Sequence, residues 1–165
     1  MRRTSLAIAV SALLGAAAGC QGEAEDALSG SIAAIGYSLD FSTIRITRSE
    51  TELIVRYEKE EVLPDGAIVV QQQPTRIVVP LGVETVEADT PLTLPGAATF
   101  EHNVIRLDPS GNKTDEPQFP PVDSGQLEFT DLGGQVGDRV AGNFDLVFNG
   151  GYTLLGKFHA DLTLP

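Results

Sequence analysis

The chain has 165 residues, enough for one domain with a full hydrophobic core, so neither disulfides nor a metal is needed to hold it together. A single cysteine rules out an intrachain disulfide framework and a cysteine zinc cage, and a formal net charge of −12 argues against nucleic acid and against docking on anionic lipid. With no Trp and only three Tyr, there is little to stack on a sugar ring.

Met1–Arg3 is a short positive segment, and Leu6–Ala18 is an apolar run broken only by Ser11 and Gly15. Small residues follow it. This is the pattern of a secretory signal peptide over residues 1–19, too short to span a bilayer as a helix. Ala17-Ala18-Gly19-Cys20 resembles the lipobox of bacterial lipoproteins, with Ala17 where that motif more often has Leu. The resemblance implies cleavage between Gly19 and Cys20, diacylation of the Cys20 thiol and acylation of the new amine. Several acyl chains on one residue give stable anchoring. In lipoprotein sorting Asp after the cysteine favours the inner membrane; Gln21 stands here, so the resemblance implies export to the outer membrane. Removing residues 1–19 takes away Arg2 and Arg3 and no acid, leaving the mature chain more acidic still. Residues 20–28 then read as a lipidated acidic tether, solvated and mobile.

Residues 29–165 read as a β-rich domain. Short runs of β-branched and aromatic residues alternate with Gly, Pro, Asn and Asp, and no sustained 3.6-residue apolar period follows the signal. The runs predict strands at Gly30–Ile35, Ser42–Arg48, Glu52–Glu60, Ala67–Gln73, Thr75–Leu81, Val83–Ala88, Thr99–Leu107, Gly125–Leu132, Arg139–Phe148 and Tyr152–Leu164. Eight to ten short antiparallel strands imply an all-β fold, a β-sandwich or flattened barrel. A hairpin is expected at Arg48–Thr51, pairing Ile46 with Leu53 and Ile44 with Val55. Another is expected at Pro64-Asp65-Gly66. Pro80, Pro91 and Pro95 suggest edges or crossovers.

Asp108–Ser124 is a polar, Pro-rich segment that reads as a mobile spacer or a binding loop. Asp108, Ser110, Asn112, Thr114 and Glu116 alternate within it, faintly like a calcium loop, but Lys113 and Phe119 stand where an EF-hand needs Gly and Glu. Asp108, Asp115 and Glu116 remain the candidate metal ligands.

The last two runs carry the firmest pattern. Apolar residues occupy even positions in both, from Val140 to Phe148 and from Leu154 to Leu164. Paired residues share a face, so a loop at Asn149-Gly150-Gly151 puts Phe144 opposite Gly156 and Gly142 opposite Phe158. Each ring then covers a glycine, and Arg139 faces Asp161 on the outer side. This closing hairpin, G-x-F, turn, G-x-F-x-A, resembles the C-terminus of small cysteine-anchored β-rich envelope lipoproteins of unassigned function. It implies an architecture and no activity.

No catalytic pattern emerges. His159 falls on the outer face of the hairpin and reads as a solvated histidine, while His102 has an ambiguous facing and an acid within reach. Gly-x-Ser-x-Gly and a phosphate-cradling loop are absent, and nothing in the sequence asks for a cofactor. The expected function is a non-enzymatic, membrane-anchored binding or structural module that binds or braces another envelope component, such as an envelope protein. The alternative is a carrier holding an apolar ligand beneath Phe144, Leu146, Phe148 and Phe158. A carboxylate-based enzyme ranks behind both.

Overall fold

Residues 25–62, 68–82 and 85–165 are described by a computed structural model. Their strands are β1 (Ala27–Ser29), β2 (Thr43–Arg48), β3 (Glu52–Val62), β4 (Ile68–Pro80), β5 (Leu92–Leu94), β6 (Thr99–Asn103), β7 (Ile105–Leu107), β8 (Lys113–Asp115), β9 (Val122–Asp131), β10 (Arg139–Phe148) and β11 (Thr153–Thr163). The fold is all-β, as the alternating runs predict. One sheet runs β5-β9-β10-β11-β2-β3-β4-β6, with β1 also on β11, and β7 and β8 form a small second sheet. The large sheet curls into a half-barrel. Its two edge strands, β5 and β6, are consecutive in the chain and joined only by residues 95–98. Five Cα steps span no more than about 18 Å, so the edges lie close to one another. Ala97 and Ala98 of that link are buried in the core.

The closing hairpin has the register its alternation demands. Arg139 pairs with Asp161, Gly142 with Phe158 and Phe144 with Gly156. Phe148 N–H donates to the Tyr152 carbonyl at 2.8 Å, and Gly150 and Gly151 take up the turn at φ 99° and 80°. A β-carbon on Gly142 would lie 2.6 Å from the Phe158 ring, and one on Gly156 would clash with the edge of the Phe144 ring and lie 2.9 Å from the Tyr57 hydroxyl. Val140, Phe144, Leu146, Phe148, Leu154, Phe158 and Leu162 are all buried. Each such side chain contributes roughly 1.5–3 kcal/mol over its exposed state. From β2, β3 and β4 the core receives Ile46, Leu53, Val55, Tyr57, Ile77 and Val79. Burial pushes the Tyr57 phenol well above its usual range, and its hydroxyl donates to the Lys157 carbonyl at 2.8 Å.

Several expectations need correction. The run at Gly30–Ile35 is a 3-10 turn over Ser31–Ile35, set between Gly30 and Gly36 at φ 154° and 101°. Ser31 holds it to β11, its hydroxyl accepting from Thr153 N–H at 2.9 Å. Residues 27–28, assigned to the mobile tether, pair with β11 as β1, Ala27 opposite Lys157 and Leu28 opposite Gly156. That half of β11 offers an edge because β2 joins it, in parallel, only at Leu162 and Thr163. The β2–β3 register is two residues later than expected, Ile46 facing Val55 and Ile44 facing Tyr57. An even shift leaves every side chain on its face. The turn is set by Ser49, whose hydroxyl accepts from Thr51 and Glu52 N–H at 3.2 and 3.1 Å.

The two runs on either side of Pro74 form one strand, β4, with an irregular register between Gln73 and Arg76 where proline has no N–H to give. Of the strand expected at Val83–Ala88, residues 85–88 are not a strand; 83 and 84 lie outside the described residues, as does the turn at Pro64-Asp65-Gly66. Three short strands were not expected: β1, β8 and β5, the last an edge between Pro91 and Pro95. The run Thr99–Leu107 divides at Val104 into β6 and β7, which belong to different sheets.

Candidate functional site

The irregularity at Pro74 frees its carbonyl, which accepts from His102 Nδ1 at 2.7 Å and from the Thr75 hydroxyl at 2.8 Å. His102 comes from β6 and is fully buried. Its other ring nitrogen, Nε2, lies 2.7 Å from Glu116 Oε2. The Pro74 carbonyl can only accept, so Nδ1 is the donor there and Nε2 is left facing the carboxylate. Glu116 is itself over-supplied with donors. Ser38 N–H reaches Oε2 at 3.1 Å, the Ser38 hydroxyl reaches Oε1 at 2.9 Å, and Arg106 Nε also donates to Oε1. Burial pushes the Glu116 carboxyl up, but hydrogen bonds from His102, Ser38 and Arg106 outweigh it and hold the group below its ordinary value.

Aromatic rings close the cluster. Tyr37 meets the imidazole edge-on at 5.1 Å between centroids, and Phe119 lies at 4.8 Å. Phe119 continues to Phe148 in the core at 5.2 Å. Gln118 works as a short strand in side-chain form: its Oε1 accepts from His102 N–H at 3.3 Å, and its Nε2 donates to the His102 carbonyl at 2.5 Å. A hollow of about 310 Å³ lies alongside, lined by Gln73, Asn103, Asp115 and Gln118 besides His102 and Glu116.

This geometry is a clamp. It ties the segment after the 3-10 turn to β6, β7 and the stretch that follows β8. Ser38 Oγ donates to Glu116 rather than to His102, so the three are not arranged as a nucleophile, base and orienting acid. The polar segment 108–124 is correspondingly not a free spacer. Lys113–Asp115 pairs with β7, Glu116 N–H donates to the Val104 carbonyl at 2.8 Å, and Tyr37 hydroxyl donates to the Gln118 carbonyl at 2.8 Å.

The three candidate metal ligands do not converge. Asp108 accepts from Ser110 and Asn112 N–H, both at 2.8 Å, within its own turn. Side-chain and backbone hydrogen bonds from Asn112 hold its carboxyl below the ordinary value. Asp115 is exposed, and Glu116 is buried in the clamp. Among the described residues no group of three or more His, Cys, Asp or Glu side chains is placed to hold a metal ion. Sequence reasoning missed the clamp because its members come from four separate stretches of chain.

His159 sits opposite Ala141, as the hairpin register requires, yet it is half-buried rather than solvated. Asp26 covers it: one carboxylate oxygen accepts from His159 N–H at 2.8 Å and lies 2.8 Å from Nδ1. Gly19 and Cys20 lie outside the described residues. No helix among the described residues is long and apolar enough to cross a membrane. Comparison of the chain with protein-family models, with curated proteins and with solved structures found no match.

Proposed function

We propose that the chain is an exported lipoprotein, cut between Gly19 and Cys20 and anchored through acyl chains on Cys20 to the outer membrane, and that its β-domain is a non-catalytic binding or structural module for another envelope component. The observation that carries the reading is how near to Cys20 in the sequence the domain takes hold of the chain. Asp26 is held on His159 and β1 starts at Ala27, so only five residues separate the lipidation site from Asp26. Six Cα steps reach no more than about 22 Å. A domain joined so closely to its anchor stands with its β1–β11 side toward the bilayer and presents the remaining surface to a partner.

The carrier reading draws less support. Phe144 lies against Gly156 and meets Tyr57 and Phe100 at 6.2 and 5.3 Å, while Phe129 meets Phe158 at 5.6 Å. Rings occupy the region where an apolar ligand was expected.

The test is metabolic labelling with a radioactive fatty acid in a bacterial host. The wild-type chain is expected to carry label and to sediment with membranes. Cys20→Ser is expected to carry none. A labelled Cys20→Ser protein, or an unlabelled wild type, would remove the anchor from the account.

A further inference from the structure

The outer face of the curled sheet carries a row of side chains that the clamp and the anchor do not use. Arg45 on β2 pairs with Arg56 on β3, Arg56 pairs with Arg76 on β4, and Arg76 pairs with Glu101 on β6. Each arginine is flanked in sequence by inward-facing residues: Ile44 and Ile46, Val55 and Tyr57, Thr75 and Ile77. Register partners share a face, so three guanidinium side chains leave the sheet side by side, about 4.8 Å from strand to strand. Like charges directly opposite one another destabilise a sheet. Here three of the chain's eleven Lys and Arg residues are spent on such a row, in a protein of net charge −12.

Carboxylates hold the two ends of the row. Arg45 Nε lies 3.3 Å from Glu58, and Arg76 Nη1 lies 2.5 Å from Glu101. The centre is different. Arg56 donates to the Thr47 hydroxyl at 3.0 Å, and none of the ion pairs among the described residues includes it. Burial lowers its pKa first and the positive charge of Arg76 next; Glu58 opposes them, ahead of a smaller lowering by Arg45 and a smaller raising by Glu52. The central guanidinium is therefore half-buried, charged and flanked by cations.

We propose that the Arg45–Arg56–Arg76 row is a binding site for a phosphate group, with Arg56 as its centre. A tetrahedral dianion suits the row better than a carboxylate does. It offers three oxygens, one for the planar fork of Arg56 and one for a remaining N–H on each neighbour, and its charge offsets the repulsion among the three. Glu58 and Glu101 serve as positioning residues that keep the outer guanidiniums splayed to either side. The proposal stands whether or not Cys20 carries lipid. Free phosphate and a phosphomonoester lipid headgroup would be recognised by the same chemistry.

Thermal unfolding of the full chain tests it, in sodium phosphate against sodium chloride of equal ionic strength. The wild type is expected to melt higher in phosphate, and titration calorimetry with inorganic phosphate is expected to give saturable binding that weakens with salt. Arg56→Gln is expected to lose at least tenfold in affinity and the whole phosphate-dependent gain. It relieves like-charge repulsion, so its melting temperature in chloride is expected to equal or exceed the wild-type value, which separates lost binding from lost folding. Arg56→Lys is expected to bind at an intermediate level. Flotation with phosphatidylcholine vesicles, with and without phosphatidic acid, identifies the source: binding to both free phosphate and phosphatidic acid, or to either alone, supports the site. Absence of binding to both probes, or an Arg56→Gln protein that binds like wild type, overturns it.

Discussion

Glu116→Ala is expected to destabilise the domain by about 3–5 kcal/mol, the usual cost of removing one partner from a buried ion pair. The substitution takes away the acceptor for four donors at once: His102 Nε2, Ser38 N–H, the Ser38 hydroxyl and Arg106 Nε. Arg106 is half exposed and can turn to water, but His102 is fully buried and cannot. Glu116→Gln is expected to recover part of the loss, because one amide oxygen can still accept while the amide nitrogen meets donors. Asp115→Ala, one residue away and exposed, is expected to stay within about 0.5 kcal/mol of wild type. Urea unfolding measures all three, and an alanine variant within about 1 kcal/mol of wild type would show that the clamp bears little weight. The pH dependence has a definite sign. The folded-state pKa of Glu116 is depressed below the ordinary value of 4.5, so its contribution is complete above that value. It is lost as pH falls through the folded pKa. The gap between wild type and Glu116→Ala is therefore expected to be widest near neutrality and to narrow in acid.

The clamp and the hairpin differ in how far they could be read from residues alone. In the hairpin every relation is local: period-two alternation, a Gly-Gly turn and parity fix Phe144 on Gly156 without reference to the rest of the chain. The clamp joins Ser38, Pro74, His102 and Glu116, and nothing local in any of the four stretches announces the other three. One part of it is legible, since Pro109-Ser110-Gly111 reads as a turn. Asp108-Pro109-Ser110-Gly111 has Asp, Pro and Gly at the first, second and fourth positions of a type I turn, which signals a hairpin. Gly111 N–H does donate to the Asp108 carbonyl at 2.9 Å, and β7 and β8 pair on either side. Taking the alternating polar residues as cation ligands hid the β7–β8 pairing around that turn, and with it the path that brings Glu116 under His102. The arginine row was hidden for a related reason. Each arginine occupies an ordinary outward position in its own strand, and only the register across β2, β3, β4 and β6 makes them neighbours. The β2–β3 register was expected two residues early, which would have placed Arg45 opposite Ile54 and separated it from Arg56.

Gly156→Val is expected to lower stability by about 3 kcal/mol or more, the upper range for overpacking a filled core. The first added carbon would already meet the Phe144 ring, and behind that ring stand Tyr57 and Phe100. Phe144 cannot move outward, because β10 lies between β9 and β11 and its backbone is fixed on both sides. The melting temperature is expected to fall by roughly 10 °C, at about 2–4 °C per kcal/mol for a domain of this size. Lys157→Val, one position along and pointing outward, tests whether valine in β11 is itself the problem; it is expected to change stability by no more than about 0.5 kcal/mol. The decisive comparison is a double-mutant cycle with Phe144→Leu. Trimming the ring destabilises the wild type by opening space above Gly156, but it makes room for the valine methyls. The two substitutions together are expected to cost at least about 1 kcal/mol less than their sum. Strict additivity would mean that ring and glycine do not touch. The register of the closing hairpin, the packing of the core beneath it and the filled interior that disfavours an apolar cargo would then all have to be redrawn.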